Sequence, residues 1–221
     1  MTSSEHPQIL LLSLAFRSFF DETYSSLIDV LGQSARLQRA KTSAGALHYL
    51  EANNPRAIIA SDEGLTEHAN VAVLEKVKAY VQSGGLVIFG LHFPSFTSPT
   101  VFDEFFDERF DVPWKSGDYH RTYFAFNPSC KLPTAVERDR FPGQYSMKAL
   151  HVENAREHEK IFVPVHGALT LSSVFPSTPV DETQAALVGT EVGAGFLVYA
   201  GDVNAEEGSD RVIMALCGLS N

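Results

Sequence analysis

Short apolar runs that end in polar turns, with helical spacing between them, constrain this chain more than any other feature. Residues 9–12 and 14–16, parted by Ser13, form the first run, and residues 56–60 and 86–89 follow. Continuous rather than alternating apolarity is what a parallel strand covered on both faces requires. Ser18 precedes Asp21 as the start of a capping box, so a helix is expected from there to about Leu31. A short strand over 36–40 and a helix capped by Ser43, ending near Asn53, Asn54 and Pro55, come next. Thr66 opens the clearest helix: Val73, Leu74, Val77, Tyr80 and Val81 share one face, and Gly84 and Gly85 end it. Repeated β-α-β units predict a parallel sheet with right-handed crossovers.

Residues 94–160 are less regular. Phe102, Phe105, Phe106 and Phe110 line one side of a helix, residues 119–126 read as a strand, and residues 128–143 read as loop. With no linker in sight, this stretch is an elaboration of the sheet's rim within one domain spanning 1–221. Residues 161–165 return to strand character. Residues 185–188 and 196–200 flank Gly193-Ala194-Gly195, the pattern of an antiparallel hairpin feeding the last strand. Ser209 is placed to cap a final helix carrying Val212, Ile213 and Leu216, with Gly218 at its end.

Composition narrows the function. Of 221 residues, 27 are Asp or Glu and 17 are Lys or Arg, a formal charge of -10. An acidic chain is a poor partner for nucleic acid or for an anionic membrane surface. The early apolar run is too short to span a bilayer and lacks a basic leader. Residues 1–7 read as a loose polar terminus. Cys130 and Cys217, the chain's 2 cysteines, suggest neither a disulfide framework nor a zinc site, so a reducing cytoplasmic setting is expected. Cys217 reads as a small apolar helix residue and Cys130 as a loop residue without an activating neighbour.

In open α/β sheets, ligands bind beyond the carboxyl ends of the strands. That rule selects the turns Arg17-Ser18-Phe19, Ser61-Asp62-Glu63, Leu91-His92-Phe93 and Asp202-Val203-Asn204-Ala205-Glu206. Arg17 can clamp an anion or pair with a nearby carboxylate such as Asp21. Asp202 and Asn204 can touch a ligand or brace the turn before the last helix, and bracing is the expected role of Asn204. Tyr119-His120-Arg121 reads either as a lid or as an exposed strand. His166, after residues 161–165, is a second histidine candidate. The phenylalanine set is core or the contact face of a homodimer. P-loop, dinucleotide and Gly-x-Ser-x-Gly signatures are absent from the sequence, and no cofactor is expected.

The segment Tyr80-Val81-Gln82-Ser83-Gly84-Gly85-Leu86-Val87-Ile88-Phe89-Gly90 resembles the helix-glycine-strand unit before the nucleophile turn of class I glutamine-amidotransferase-like proteins. Gly193-Ala194-Gly195-Phe196-Leu197-Val198-Tyr199-Ala200-Gly201-Asp202 is similar to their last hairpin, particularly in the trehalose-utilisation-like branch. The Gly-Asp-Val-Asn-Ala-Glu-Glu ending also resembles that of a group of fungal proteins. The resemblance implies a flavodoxin-like three-layer α/β sandwich, mainly parallel with an antiparallel edge hairpin. It further implies a catalytic cysteine on the turn after residues 86–89 and a His-Pro-Glu segment after the last strand. Aligned that way, His92 falls on the cysteine position, Asn204-Ala205-Glu206 replaces His-Pro-Glu, and only Glu206 keeps its type.

Imidazole cannot do the thiolate's acyl chemistry, so glutamine hydrolysis is disfavoured. Two readings remain. In the first, a pocket for a small polar molecule uses His92 as general base in a hydrolysis or isomerisation. Glu206 or Asp202 then orients the ring, and Arg17, Ser18, Asp62, Glu63, Asn204 and His120 line the site. In the second, the chain is a catalytically silent binding or scaffolding subunit in which His92 only hydrogen-bonds a neighbouring loop. A metal held by His92 with Asp62, Asp202 or Glu206 lacks the local ligand spacing that would support it, and none is expected.

Overall fold

The structure is a computed structural model that describes residues 6–134 and 136–219, so most of the expected loose terminus lies outside the described residues. The elements in chain order are β1 (Gln8–Leu12), α1 (Phe20–Thr23), α2 (Ser25–Ser34), β2 (Arg36–Ala40), α3 (Ser43–Ala52) and β3 (Ala57–Ala60). They continue with α4 (Val71–Gln82), β4 (Leu86–Phe89), α5 (His92–Phe96), α6 (Pro99–Phe110), β5 (Lys115–Phe126) and β6 (Gln144–Glu153). The last are β7 (Lys160–Pro164), β8 (Leu187–Val192), β9 (Gly195–Ala200) and α7 (Glu207–Leu216).

The strands form one mixed nine-stranded sheet in the order β2-β1-β3-β4-β9-β8-β7-β5-β6. The β2, β1, β3, β4 and β9 strands run parallel. From β9 onward, β8, β7, β5 and β6 each join antiparallel to the strand before. Alternate residues of the parallel strands serve opposite faces. Ile9, Leu11, Ile59, Ile88 and Val198 pack against Leu27 and Leu31 of α2 and Val212, Ile213 and Leu216 of α7. Leu10, Ile58, Val87, Leu197 and Tyr199 pack against α4 and α6 on the other side. Burial on both faces is the reason those strands carry unbroken apolar sequence.

The expected face of α4 is the buried one: Val73, Leu74, Val77, Tyr80 and Val81. Tyr80 also fixes the helix to the sheet, donating to the Pro55 carbonyl at 2.9 Å and accepting from the Leu86 amide at 3.3 Å. The hairpin of β8 and β9 turns at Gly193, whose φ is 62°.

Several local expectations are corrected. The first strand stops at Leu12: the Ser13 amide still donates to Ala40 at 2.9 Å, but the Leu14 amide turns to the Asp62 carboxylate at 3.1 Å. Ser18 does not cap a helix, since α1 starts at Phe20 with Phe19 at its N-cap and no side-chain cap. Thr42, not Ser43, caps α3, accepting from the Gly45 amide at 3.2 Å. Glu206 rather than Ser209 stands at the N-cap of α7. The phenylalanine set is core: Phe102 lies 4.9 Å from Tyr199, Phe105 5.4 Å from Phe89 and Phe106 5.3 Å from Trp114, ring to ring. All 4 side chains are buried within this one chain, so they cannot be the contact face of a homodimer.

The strand β6, unrecognised in the sequence, curls back past the end of the sheet. Its Leu150 amide donates to the Gly201 carbonyl at 2.9 Å, and Val152 pairs with Ala185. Among the described residues no helix is long and apolar enough to cross a membrane.

Gly195, at the start of β9, is packed so tightly that a Cβ there would overlap the carbonyl oxygens of Val81 and Gly85. Gly195→Ala is expected to destabilise the chain by about 2 kcal/mol or more, through strain at the seam between the two halves of the sheet. Urea unfolding measures it; a midpoint equal to wild type would contradict the packing.

Candidate functional site

The end of β4 leads into Gly90, Leu91 and His92. Leu91 is buried and has φ 61° and ψ -114°, a conformation leucine adopts only under strain. The turn is pinned on both sides: the Gly90 amide donates to Ala60 at 3.2 Å and the His92 amide to Ser61 at 2.9 Å. On a strand-turn-helix elbow, the strained residue is the one that presents the nucleophile. Here that residue is Leu91, and His92 is the first residue of α5. His92, expected at the nucleophile position, thus lies one residue after the strained one, and the strained residue itself carries an alkyl side chain.

His92 points into rings. Its imidazole is 5.0 Å from Phe19, 5.1 Å from Phe20, 5.2 Å from Tyr24 and 5.1 Å from Phe96, centroid to centroid. Its Nδ1 is buried without a hydrogen-bond partner. Burial, assisted by the Arg17 charge, lowers its pKa to about 4. Neither Asp202 nor Glu206 orients the ring, in contrast to the expected dyad. Asp202 sits nearer Tyr24, whose hydroxyl it helps to hold un-ionised, after burial itself. Tyr24 thus links the two groups of residues that were expected to converge.

Around His92, charges are already matched. The Arg17 guanidinium makes a two-pronged ion pair with Glu63, donates to the Ala15 carbonyl at 3.1 Å and lies 3.5 Å from the centre of the Phe96 ring. Asp21, the other candidate partner of Arg17, pairs with Arg39 and Lys41 instead. One oxygen of buried Asp62 accepts the amides of Leu14 and Gly64, both at 3.1 Å, while Oδ2 has no partner. Burial raises the Asp62 pKa to about 6. Ser18 is exposed beside this group.

The second group lies past β9. Buried Asp202 accepts the amides of Asn204 at 2.8 Å and Glu206 at 2.9 Å, a bracing role. Glu206 pairs with Arg121 of β5. Turning the Asn204 amide also places its oxygen 2.8 Å from Arg121. Asp210, missed in the sequence, has a pKa raised to about 6, mainly by burial. Tyr145 of β6 approaches Ser209 at 3.2 Å, oxygen to oxygen.

Residues 119–121 form part of β5 rather than a lid, and His120 packs edge-on against His151 of β6 at 4.3 Å. His151 is fully buried with neither ring nitrogen partnered, and its pKa is lowered to about 3 by burial and then by His120. His166 is exposed beside Glu182 at 3.2 Å. Cys130 and Cys217 are buried and free, and burial raises both thiols, that of Cys217 to about 12. Among the described residues, no group of three or more His, Cys, Asp or Glu side chains is arranged to hold a metal ion.

No family model and no curated protein matches this sequence. Solved structures do match the fold. A putative ThuA-like protein from Parabacteroides merdae is 9% identical with a TM-score of 0.55, and the match covers 97% of this chain and 88% of that one. A β-galactosidase from Bacillus circulans sp. alkalophilus is 12% identical with a TM-score of 0.53, covering 95% of this chain. A β-galactosidase from the haloarchaeon Halorubrum lacusprofundi is 13% identical with a TM-score of 0.50, covering 96% of this chain. This chain spans 30% of the length of each of those two β-galactosidases. At such identities the likeness is one of fold.

The His92 environment sets a pH dependence. The folded ring protonates near pH 4 and an unfolded one near its ordinary value of 6.5, so the unfolded chain binds more protons between those values and stability falls as pH falls. Asp62, with its raised pKa, works the other way over the lower part of the range. His92→Phe removes the histidine term alone. Its loss of stability between pH 7 and pH 4.5 is expected to be smaller than that of wild type by about 2 kcal/mol. Urea titrations at both values decide it, and parallel pH profiles would contradict the buried, neutral ring.

Proposed function

We propose that this chain is a catalytically silent relative of the class I glutamine-amidotransferase-like proteins. On this reading it binds a small polar molecule at the carboxyl edge of a flavodoxin-like three-layer sandwich. The observation that carries the reading is Leu91 in the strained turn after β4, where such a fold would present its nucleophile. The remaining positions point the same way. Glu206 is engaged by Arg121, Arg17 by Glu63, and Asp202 by the turn it braces. Side chains committed to one another are positioned for a stable edge rather than for turnover. The likeness in fold to a ThuA-like protein supports the trehalose-utilisation-like branch. The free, buried cysteines suit a reducing compartment.

One observation favours the second reading, a His92-assisted hydrolase or isomerase. His92 Nδ1 and Asp62 Oδ2 are both buried without partners on neighbouring turns, and such atoms cluster where ligands bind. Against it, a pKa of about 4 leaves His92 a weak base at neutral pH.

Wild type and His92→Phe, assayed side by side with glutamine and with chromogenic phosphate, acyl and glycosyl esters, separate the two. No difference in turnover between the two proteins is expected. Saturable turnover by wild type that vanishes in a normally folded His92→Phe would replace the silent reading with the enzymatic one.

A further inference from the structure

A groove of about 870 Å³ opens over β5 and β6, walled on its far side by the 170–178 loop. It stands level with the carboxyl end of β9, because Ala149 of β6 bridges to Asp202. The chain as a whole has 27 acidic residues against 17 basic ones, yet the groove's lining includes Arg121, Lys148 and His120 and not one carboxylate. Arg121 is spoken for by Glu206. Lys148 is not: among the described residues no carboxylate lies within ion-pair distance of its ammonium, which hangs 4.8 Å over the Tyr119 ring. A cation without a counter-charge, in a concave site, is a place for an anion.

Two further features shape the ligand. Tyr119 and Phe175 line the groove and expose large parts of their rings, 56% and 74%, so flat surfaces are offered beside the charge. His120, which also lines the groove, has a buried Nε2 without a hydrogen-bond partner. Buried polar atoms normally have a partner, so one without it marks a place where a bound group or a water can be accommodated. The loop that completes the wall is tied down rather than loose: the Leu171 amide donates to the Arg121 carbonyl at 2.7 Å, and the Thr170 amide to the Thr178 carbonyl at 2.9 Å.

We infer that this groove binds a small anion attached to a flat ring, a phosphomonoester or a carboxylate, with Lys148 on the charge and Tyr119 against the ring. The inference rests on reading the chain as a binding module, and it places the ligand on the antiparallel half of the edge, in a groove that His92 does not line.

Calorimetric titration of the full chain with phenyl phosphate, benzoate and inorganic phosphate tests it. Phenyl phosphate or benzoate is expected to bind saturably at a single site. Lys148→Gln and Tyr119→Ser should each weaken that binding by about tenfold, while Lys131→Gln, a distant exposed cation, should leave it unchanged. Tighter binding of phenyl phosphate than of benzoate would assign the phosphoryl group, and the reverse order the carboxylate. Should Lys148→Gln fail to fold, Lys148→Arg keeps the charge and must keep the affinity. No saturable heat from any of the three compounds at millimolar concentration, binding of inorganic phosphate alone, or equal weakening by Lys131→Gln would overturn the inference. Failure of the silent reading looks different: phenyl phosphate would be hydrolysed to phenol in a His92-dependent way, whatever its affinity.

Discussion

Pairing between β4 and β9 holds the two halves of this molecule together. Leu86 to Phe89 lie beside Phe196 to Tyr199 in parallel register, and every residue of both strands is buried. To one side the sheet is purely parallel; to the other it is purely antiparallel. Such a seam tolerates little variation, because close packing on both faces leaves no room for a shifted strand. It also aligns the turn after β4 with the turn after β9, so the elbow at Leu91 and the brace at Asp202 face the same edge.

At that edge, the chemistry that the fold makes available is largely neutralised. Positive charge meets negative charge at Arg17 and Glu63 and again at Arg121 and Glu206. A histidine in the middle is kept uncharged by rings rather than polarised by a carboxylate. The strained turn survives although its residue carries no reactive group, since hydrogen bonds from both of its neighbours to β3 and the residue after it, together with burial, hold it in place. The strained geometry is therefore a property of how the strand must meet the helix, and it does not depend on the side chain that the turn carries.

What could be read from the sequence follows from where the information lies. The parallel strands and α4 were legible because double-sided burial and helical spacing are local patterns. The phenylalanine helix was legible as a helix, but not its direction, since both a core and an exposed face demand the same spacing. The strand β6 was not legible. Its sequence, QYSMKALHVE, mixes polar and apolar residues, and its strand character comes from pairing with β5 and with the end of β9. With β6 went Lys148, His151 and Tyr145, and hence half of the edge. The turns at the strand ends were legible as turns, but their pairings were not: distance along the chain gives no hint that Arg17 meets Glu63, or that Arg121 rather than His92 meets Glu206.

The return of β6 onto Gly201 and Ala185 has a consequence for how copies of this chain meet. A sheet of this size normally offers two open flanks on which another strand can be laid. Here the flank at β6 is already occupied by the chain's own backbone, which leaves β2 as the remaining flank. That strand carries Arg36 and Arg39 among its five residues, Arg39 being paired with Asp21, and charged side chains on an edge strand disfavour the laying of another strand beside it. Closure at one flank and charged, hydrated side chains at the other both work against the addition of a further strand.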